Sequence, residues 1–296
     1  MNEFIDVHAD DYGLSAHSDK MILELLEEGK LGSISFIANF SRLEAAAAEL
    51  AAVQAKRQKP ALVSVHLNFI EGRSLAPKSE VPDLVDGDGF FSASWERLFL
   101  WNFNPLKRAR IRAQLTKEII AQTEALISVG AVDRARVRFD GHQHTHMIPL
   151  VLDALLAAIK ERGYGVEFIR NTEDPLLFYA SARELFSTFS PVNAVKCLIL
   201  NFFSWAKVRR DLEKMGLAPS LLCGVFFSGK MDERVAKILP IFERKASEQR
   251  RVCEVLFHPC LMLEGELDAE FNKPAINEFH VSSNRTLEYK SVKSLF

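Results

Sequence analysis

RFDGHQHTH, residues Arg138–His146, is the stretch from which the organisation of this 296-residue chain can be worked out. Its first residues alternate between polar and apolar, which predicts a β-strand that ends in a loop. Three of the chain's eight histidines follow at two-residue spacing. On an extended backbone such residues point the same way, so we expect a cluster of imidazoles at a strand exit. Histidine with the nearby Asp140 suits a divalent metal, and a His-rich polar loop is the alternative.

Strand-like and helix-like segments alternate on both sides of this stretch. The predicted strands are Glu3–Ala9, Ser33–Ala38, Leu62–His66, Arg136–Asp140, Val166–Arg170, Leu221–Phe227 and Val252–Phe257. The first predicted helix ends at Glu28, and the last begins at Ser282. The helices between them cover about Ser41–Lys56, Lys107–Val129, Pro149–Arg162, 191–215 and 231–247. This alternation predicts an α/β fold with a parallel sheet, or a β/α barrel of regular or irregular form, in one domain over residues 1–296.

Residues 68–105 form a connection too long for a simple loop between a strand and a helix. The segment contains prolines and glycines beside many aromatic residues, from Phe69 to Phe103. We predict an inserted lid segment with its own small aromatic core over the mouth of the barrel. The alternative is a lid whose rings stack on a sugar.

Polar residues lie on one face of four predicted strands, toward their carboxyl ends. Asp10, His66, His142 and His258 occupy such positions, opposite an apolar face suited to packing against helices. Active sites of α/β barrels are built at this end of the strands. We therefore expect these four side chains to converge.

Composition excludes several classes of protein. With 48% hydrophobic and 26% charged residues, the chain has the composition of a soluble globular protein. A net charge of -2 gives no reason to expect binding to nucleic acid. The four cysteines form no CxxC pair and the N-terminus has no basic or apolar leader, so we expect reduced thiols in a cytoplasmic protein. No hydrophobic stripe indicates a dimer face or an oligomeric state.

The longest apolar run is Val192–Ala206, and polar residues interrupt it. It is shorter than the ~20 residues that a membrane span needs, so we expect no transmembrane segment. A buried helix is the main prediction. Because Lys207, Arg209 and Arg210 follow it, a peripheral membrane contact at 192–210 is the alternative.

Two histidines and one carboxylate, His66, His142 and Asp11, would form a metal site with open positions for water and substrate. Asp10 could accept the proton of the attacking water, and His258 could protonate a leaving amine. The spacing of these residues predicts only a metal-dependent hydrolase.

Two further groups would support that chemistry. Arg170, at the end of its strand, could keep Asp10 ionised, and a surface ion pair is the alternative for this arginine. The backbone N–H of Tyr12 could stabilise charge that develops on the oxygen of the attacked carbonyl group.

Four segments resemble the signature motifs of the YdjC-like carbohydrate deacetylases. They are HADDYGLS at His8–Ser15, VHLN at Val65–Asn68, DGHQHTHM at Asp140–Met147 and LFHP at Leu256–Pro259. That family includes chitooligosaccharide and hopanoid-associated deacetylases and belongs to a β/α-barrel class of glycoside hydrolases and deacetylases.

The resemblance implies metal-dependent removal of an N-acetyl group from an amino sugar of an oligosaccharide or a glycolipid. It implies one divalent ion, Mg²⁺ or Zn²⁺, at Asp11, His66 and His142. It also implies Asp10 as the base and His258 as the acid. Residues assigned to support of the metal site or to substrate contact are His144, His146, Asp140, Tyr12 and Asn68.

Three positions depart from the family pattern. Gly141 stands where the family often has Ser, and Gln143 where it has a further His; both would affect how the metal ligands are positioned. Cys260 stands where Gly is common, and we predict a small packed thiol in preference to a soft metal ligand.

Two other functions use the same residues. A two-His, one-carboxylate set also holds non-haem iron in oxygenases, although oxygen chemistry would not need Asp10 and His258. A non-catalytic sugar-binding protein on the same scaffold is the second alternative.

Overall fold

The computed structural model describes residues 3–181 and 189–296. Its centre is a seven-stranded, all-parallel sheet with the strand order β5-β4-β3-β2-β1-β7-β6. The strands are β1 Ile5–Tyr12, β2 Ser33–Phe36, β3 Leu62–Leu67, β4 Val137–Gly141, β5 Val166–Ile169, β6 Leu221–Cys223 and β7 Cys253–Phe257. The predicted α/β fold with a parallel sheet is therefore confirmed.

Helices follow most strands, as a parallel sheet requires. They are α1 Ala16–Glu27, α2 Leu43–Gln54, α3 Trp95–Asn102, α4 Pro105–Ser128, α5 Pro149–Arg162, α6 Pro191–Phe203, α7 Arg209–Lys214, α8 Leu239–Gln249, α9 Pro274–His280 and α10 Ser283–Leu295. Several helices begin directly after a capping residue: the Ser15 side chain accepts a hydrogen bond from the Ser18 N–H at the start of α1, and Asn104 caps α4. A π-helical turn, Ser204–Val208, joins α6 to α7.

The sheet does not close into a full barrel, so the barrel prediction is only partly right. Its edge strands, β5 and β6, share no ladder within the described residues. The chain after β5 bridges part of the gap, since the Leu222 N–H donates to the Glu173 carbonyl at 2.8 Å. Asn171 Nδ2 likewise donates to the Ser220 carbonyl at 3.0 Å.

The predicted strand Leu221–Phe227 is too long. It ends at Cys223 because Gly224 has φ 146°, a conformation that L side chains rarely adopt. The predicted helix over 231–247 is also divided: Glu233–Lys237 is a 3₁₀ turn, and α8 begins beside Pro240, which favours the start of a new helix.

Residues 68–105 pack on the main core and form no separate aromatic core, contrary to the prediction. Phe69, Phe91 and Leu98 are all buried in that core. The segment is tied to α4, because the Glu118 carboxylate accepts hydrogen bonds from the N–H groups of Leu75 and Ala76.

The helix predicted to be buried at Val192–Ala206 is buried on one face only. That face contributes Cys197, Leu200 and Phe203 to the core. The other face exposes Val192, Val195, Leu198, Phe202 and Trp205. In the described part of the chain, no helix is both long and apolar enough to cross a membrane.

All four cysteines are buried and unpaired, in agreement with the reduced thiols expected from the sequence.

Candidate metal centre and active site

A bulge near the end of β1 brings two adjacent carboxylates to the same side. Regular strand alternation would point Asp10 and Asp11 in opposite directions. However, Asp11 has φ 69°, and the register of β1 against β2 shifts between Ala9 and Tyr12. Bulges of this kind re-aim side chains, and here both carboxylates line one cavity.

The histidine cluster does not continue the strand, so the prediction that its three imidazoles point the same way is wrong. After Gly141 the chain enters a 3₁₀ turn in which Gln143 (φ 52°) and His144 (φ 60°) are left-handed. His142 and His144 line the cavity. His146 is buried behind it, with Nε2 donating to the Arg170 carbonyl at 3.0 Å.

The cavity lies at the carboxyl edge of the sheet and has a volume of about 440 Å³. The structure brings Asp10, His66, His142 and His258 together there, as strand alternation led us to expect. The rest of its wall comes from α6, from residues 228–230 and from residues around α9. Among the residues that the structure describes, none from 68–105 lines the cavity, so the predicted lid does not cover it.

Asp11, His66 and His142 form the group best suited to hold a metal ion. One ligand atom from each lies within 4.8 Å of the others. Asp11 Oδ1 is 3.5 Å from His66 Nε2 and 3.0 Å from His142 Nδ1. Nitrogen and oxygen donors in this number fit a divalent cation with open coordination positions.

Asp140 orients the first of these histidines. Its Oδ1 lies 2.6 Å from His66 Nδ1. His66 Nε2 is buried and has no hydrogen-bond partner in the described structure. A histidine that donates one ring N–H to a carboxylate and leaves the other nitrogen free is the usual arrangement of a metal ligand.

The charges of this group also suit a cation. Burial lowers the pKa of His66, but Asp10 and Asp140 outweigh burial and raise it to about 10. In the same way, Asp11 raises the pKa of His142 to about 9 against burial. Clustered carboxylates thus favour positive charge on both imidazoles, and a metal cation could supply that charge instead.

His8 is less suited to metal binding, although it lies near Asp10 and Asp140. Its ring nitrogens are 2.6 Å and 2.7 Å from the hydroxyls of Ser33 and Ser35. These contacts use both nitrogens, so His8 fits a supporting position beneath Asp10.

Arg170 holds Asp10 from below the cavity. Its guanidinium donates to both Asp10 oxygens at 3.0 Å and contacts Asp140 and Glu254 at 3.1 and 2.9 Å. Burial raises the pKa of Asp10, but the charges of Arg170 and His66 with a hydrogen bond from His8 hold it well below its usual value. Arg170 is fully buried, so the surface ion pair considered as an alternative is wrong.

Sequence reasoning missed several polar residues around the site, and four of them lie near the candidate ligands and His258. Glu71 Oε1 lies 3.2 Å from His142 Nε2 and 2.9 Å from His280 Nε2. Arg285 donates to Asp11 Oδ2 at 3.0 Å, and the Glu288 carboxylate is 3.6 Å from His258 Nδ1. Glu71 lies in the long connection and the others in the last two helices, where no local pattern distinguished them from surface residues.

The remaining predicted residues lie outside the cavity. The Tyr12 hydroxyl donates to the Ala46 carbonyl, so its side chain points away from the site. Asn68 accepts from the Ile70 N–H and donates to the Glu71 carbonyl, which fixes the turn that carries Glu71. Cys260 is buried and accepts from Arg285 at 2.7 Å, as expected of a packed thiol.

The native state is expected to lose stability in acid through His146. Burial lowers the pKa of His146 to about 4, with the charge of Arg170 acting in the same direction and that of Asp140 against it. Between the ordinary histidine pKa of about 6.5 and 4, only the unfolded chain binds this proton, so stability falls as the pH falls. At pH 5 this imidazole should lower the free energy of unfolding by roughly 2 kcal/mol relative to neutral pH.

Urea unfolding at pH 7 and pH 5, with chelator present, measures this effect. His146→Gln keeps a donor for the Arg170 carbonyl but cannot be protonated, so its loss of stability over that interval should be smaller than that of the wild type. Equal losses in the two proteins would contradict the prediction.

Comparison with known proteins agrees with the motifs. The family model described as YdjC-like protein matches residues 5–294. The chain belongs to the YdjC-like family. This confirms the resemblance seen in the four sequence segments.

Three relatives illustrate the similarity. A carbohydrate deacetylase from Homo sapiens is 30% identical over 165 residues, 55% of this chain and 47% of that protein. One from Geobacillus stearothermophilus is 33% identical over 151 residues, 51% of this chain and 54% of that protein. A chitooligosaccharide deacetylase from Salmonella paratyphi B is 27% identical over 173 residues, 58% of this chain and 62% of that protein. The chain spans about half the length of the curated relatives it matches.

A solved structure supports the fold. A candidate cellobiose-phosphate cleavage protein from Enterococcus faecalis V583 superposes with a TM-score of 0.60 at 15% identity, covering 99% of this chain and 95% of that one. At this identity the likeness concerns the fold alone.

Proposed function

We propose that this YdjC-like protein is a metal-dependent hydrolase that removes an N-acetyl group from an amino sugar of an oligosaccharide or a glycolipid. The supporting observation is that a carboxylate, Asp10, and a histidine, His258, line the same cavity as the candidate ligands Asp11, His66 and His142. The names of the relatives, carbohydrate and chitooligosaccharide deacetylase, agree with this activity.

In the proposed reaction, Asp11, His66 and His142 would hold a divalent ion such as Mg²⁺ or Zn²⁺. Such an ion would supply Lewis acidity for the acetyl carbonyl and would lower the pKa of a bound water to about 7. Asp10, kept ionised by Arg170, accepts a proton from the water that attacks the carbonyl carbon. The carbon–nitrogen bond then breaks, and His258 protonates the amine that leaves. The products are acetate and the free amino sugar. Stabilisation of the oxyanion by the Tyr12 N–H stays a prediction.

His144 and Lys196 would contact the substrate. Both line the cavity. Burial and the charge of Lys196 hold the pKa of His144 well below its usual value, so this imidazole is neutral and can exchange hydrogen bonds with a sugar hydroxyl.

Hydrolysis accounts for this site better than the two alternatives do. An iron oxygenase would use the two-His, one-carboxylate set but would give no role to Asp10 and His258. A sugar-binding protein would not need an arginine that holds a carboxylate ionised at the cavity wall.

Acetate release by the purified protein tests the proposal. The substrates are N-acetylglucosamine oligomers and N-acetylated glycolipids dispersed in detergent, with and without a chelator. We expect release that the chelator abolishes and that added Mg²⁺ or Zn²⁺ restores. Release that persists in chelator would contradict the metal requirement, and retained iron with dioxygen-dependent turnover would favour the oxygenase.

A further inference from the structure

One outer face of α6 and of the π-helical turn after it is apolar and exposed. Its residues follow helical spacing and are Val192, Val195, Leu198, Phe202 and Trp205. Trp205 keeps 75% of its surface accessible. Since the opposite face of the same helix is already packed into the core, α6 is apolar on both sides, which is typical of helices that are covered on both sides.

Helices α3 and α4 bring further exposed apolar side chains near this face. The centroid of the Phe99 ring lies 5.1 Å from that of Phe103 and 6.0 Å from that of Phe203, on the packed side of α6. The exposed apolar side chains at the end of α3 and the start of α4 are Leu100, Phe103 and Leu106, the last 93% accessible. We call these eight exposed residues, five on 192–205 and three on 100–106, the apolar ridge. Clustered exposed apolar side chains of this kind mark a contact site for a partner or a membrane.

The surroundings of the apolar ridge are basic, although the whole chain has a net charge of -2. Residues 95–112 contain five basic and one acidic residue. Residues 190–214 contain two acidic and five basic residues, but one of the five, Lys196, lines the cavity and does not belong to the border. Arg97 and Lys107 form no ion pair with any residue that the structure describes. Most of the other basic side chains already pair with acids: Asp153 contacts Arg108 and Lys207, and Asp83, Glu173 and Asp211 contact others. An anionic partner therefore fits this border.

We propose that the apolar ridge is the surface by which this protein binds to an anionic lipid bilayer. Its aromatic and aliphatic side chains would enter the boundary between headgroups and acyl chains, and the basic border would contact lipid phosphates. Contact with one leaflet needs no spanning helix, in line with the lack of one among residues 3–181 and 189–296.

The position of the cavity gives this contact a consequence, which rests on the proposed function. Asn193 and Lys196 of α6 line the cavity, while Val192 and Val195 of the same helical turns belong to the apolar ridge. Binding to a bilayer through the ridge holds the cavity beside the lipid surface. The substrate class favoured by this arrangement is an acetylated amino sugar linked to a lipid.

Cosedimentation with vesicles tests the docking surface. The vesicles are pure phosphatidylcholine or an equal mixture of phosphatidylcholine and phosphatidylglycerol. We expect the wild type to bind the anionic mixture, and the double variant Phe202→Ser, Trp205→Ser to bind it at least about tenfold more weakly. In the variant Arg97→Gln, Lys107→Gln, the affinity for the anionic mixture should fall about fivefold per removed charge, and the affinity for phosphatidylcholine should change little.

Leu263→Ser is the matched control, since Leu263 is also exposed and apolar but lies in the loop that contacts the start of α1. It should bind vesicles like the wild type. If the wild type does not bind the anionic vesicles, the proposal is overturned. Light scattering that shows a dimer which Phe202→Ser, Trp205→Ser converts to a monomer also overturns it, because the ridge would then be covered by a second copy. Acetate release from a water-soluble oligomer does not depend on the apolar ridge. A failure of the vesicle-binding test would therefore leave the proposed deacetylase activity untouched.

Discussion

Asp10→Asn is expected to slow acetate release by about a hundredfold or more, while the protein stays folded and keeps its metal. The expected size is that of a lost general base, which contributes about 10²–10⁴ in rate. Asparagine has nearly the same shape and keeps an oxygen for Arg170, but it cannot accept the proton of water at neutral pH. Arg170 would still pair with Asp140 and Glu254, so no unpaired buried charge is created.

Glu254→Gln provides the control for this variant. Glu254 contacts the same guanidinium at 2.9 Å, but it does not line the cavity. If Asp10 acts on water directly, Glu254→Gln should reduce the rate constant far less than Asp10→Asn does. Metal content and the unfolding midpoint are measured for both proteins. Equal losses of rate would show that the arginine network acts through structure, and that Asp10 is not the base.

The fold followed from the sequence where local pattern and burial agree. Each strand has an apolar face, and the alternation of strands and helices predicted a parallel sheet. Closure of the sheet could not be predicted from the sequence. It depends on hydrogen bonds between the chain after β5, at Asn171 and Glu173, and the chain around Ser220, which lies far away in sequence. The exposure of α6 could not be predicted either, since an apolar helix gives the same pattern whether one or both faces are covered.

The site followed from strand alternation only in part. Asp10, His66 and His258 lie where alternation along their strands places them. Asp11 reaches the cavity through a left-handed residue in a bulge, and His144 through another left-handed residue after β4. Such conformations depend on tertiary contacts, so a period-two pattern cannot reveal them. The same holds for Glu71, whose contact with His142 joins positions 71 residues apart.

His142→Ala is expected to weaken metal binding by more than about a hundredfold. Structural zinc sites with about four protein ligands bind with roughly 10–16 kcal/mol, so one ligand is worth on the order of 3 kcal/mol. Here Asp11 and His66 would be left as a pair, with Asp11 still held by Arg285 at 3.0 Å. Two ligands cannot enclose the ion, so the purified variant should contain almost no metal and release almost no acetate. Metal analysis after dialysis and titration of the stripped protein with Zn²⁺ measure the loss.

His144→Ala and His146→Ala are the matched controls, because the same short segment carries all three imidazoles. His144 lines the cavity but does not belong to the group of atoms within 4.8 Å of one another, and His146 is buried with Nε2 bonded to the Arg170 carbonyl. Each control should weaken metal binding less than about tenfold, the lower end of what supporting residues contribute. Only the His142 variant should lose the metal, since only that ring faces Asp11 Oδ1 at 3.0 Å. Equal loss in all three would mean that the turn as a whole, rather than His142, holds the ion, and the ligand assignment would have to be reversed.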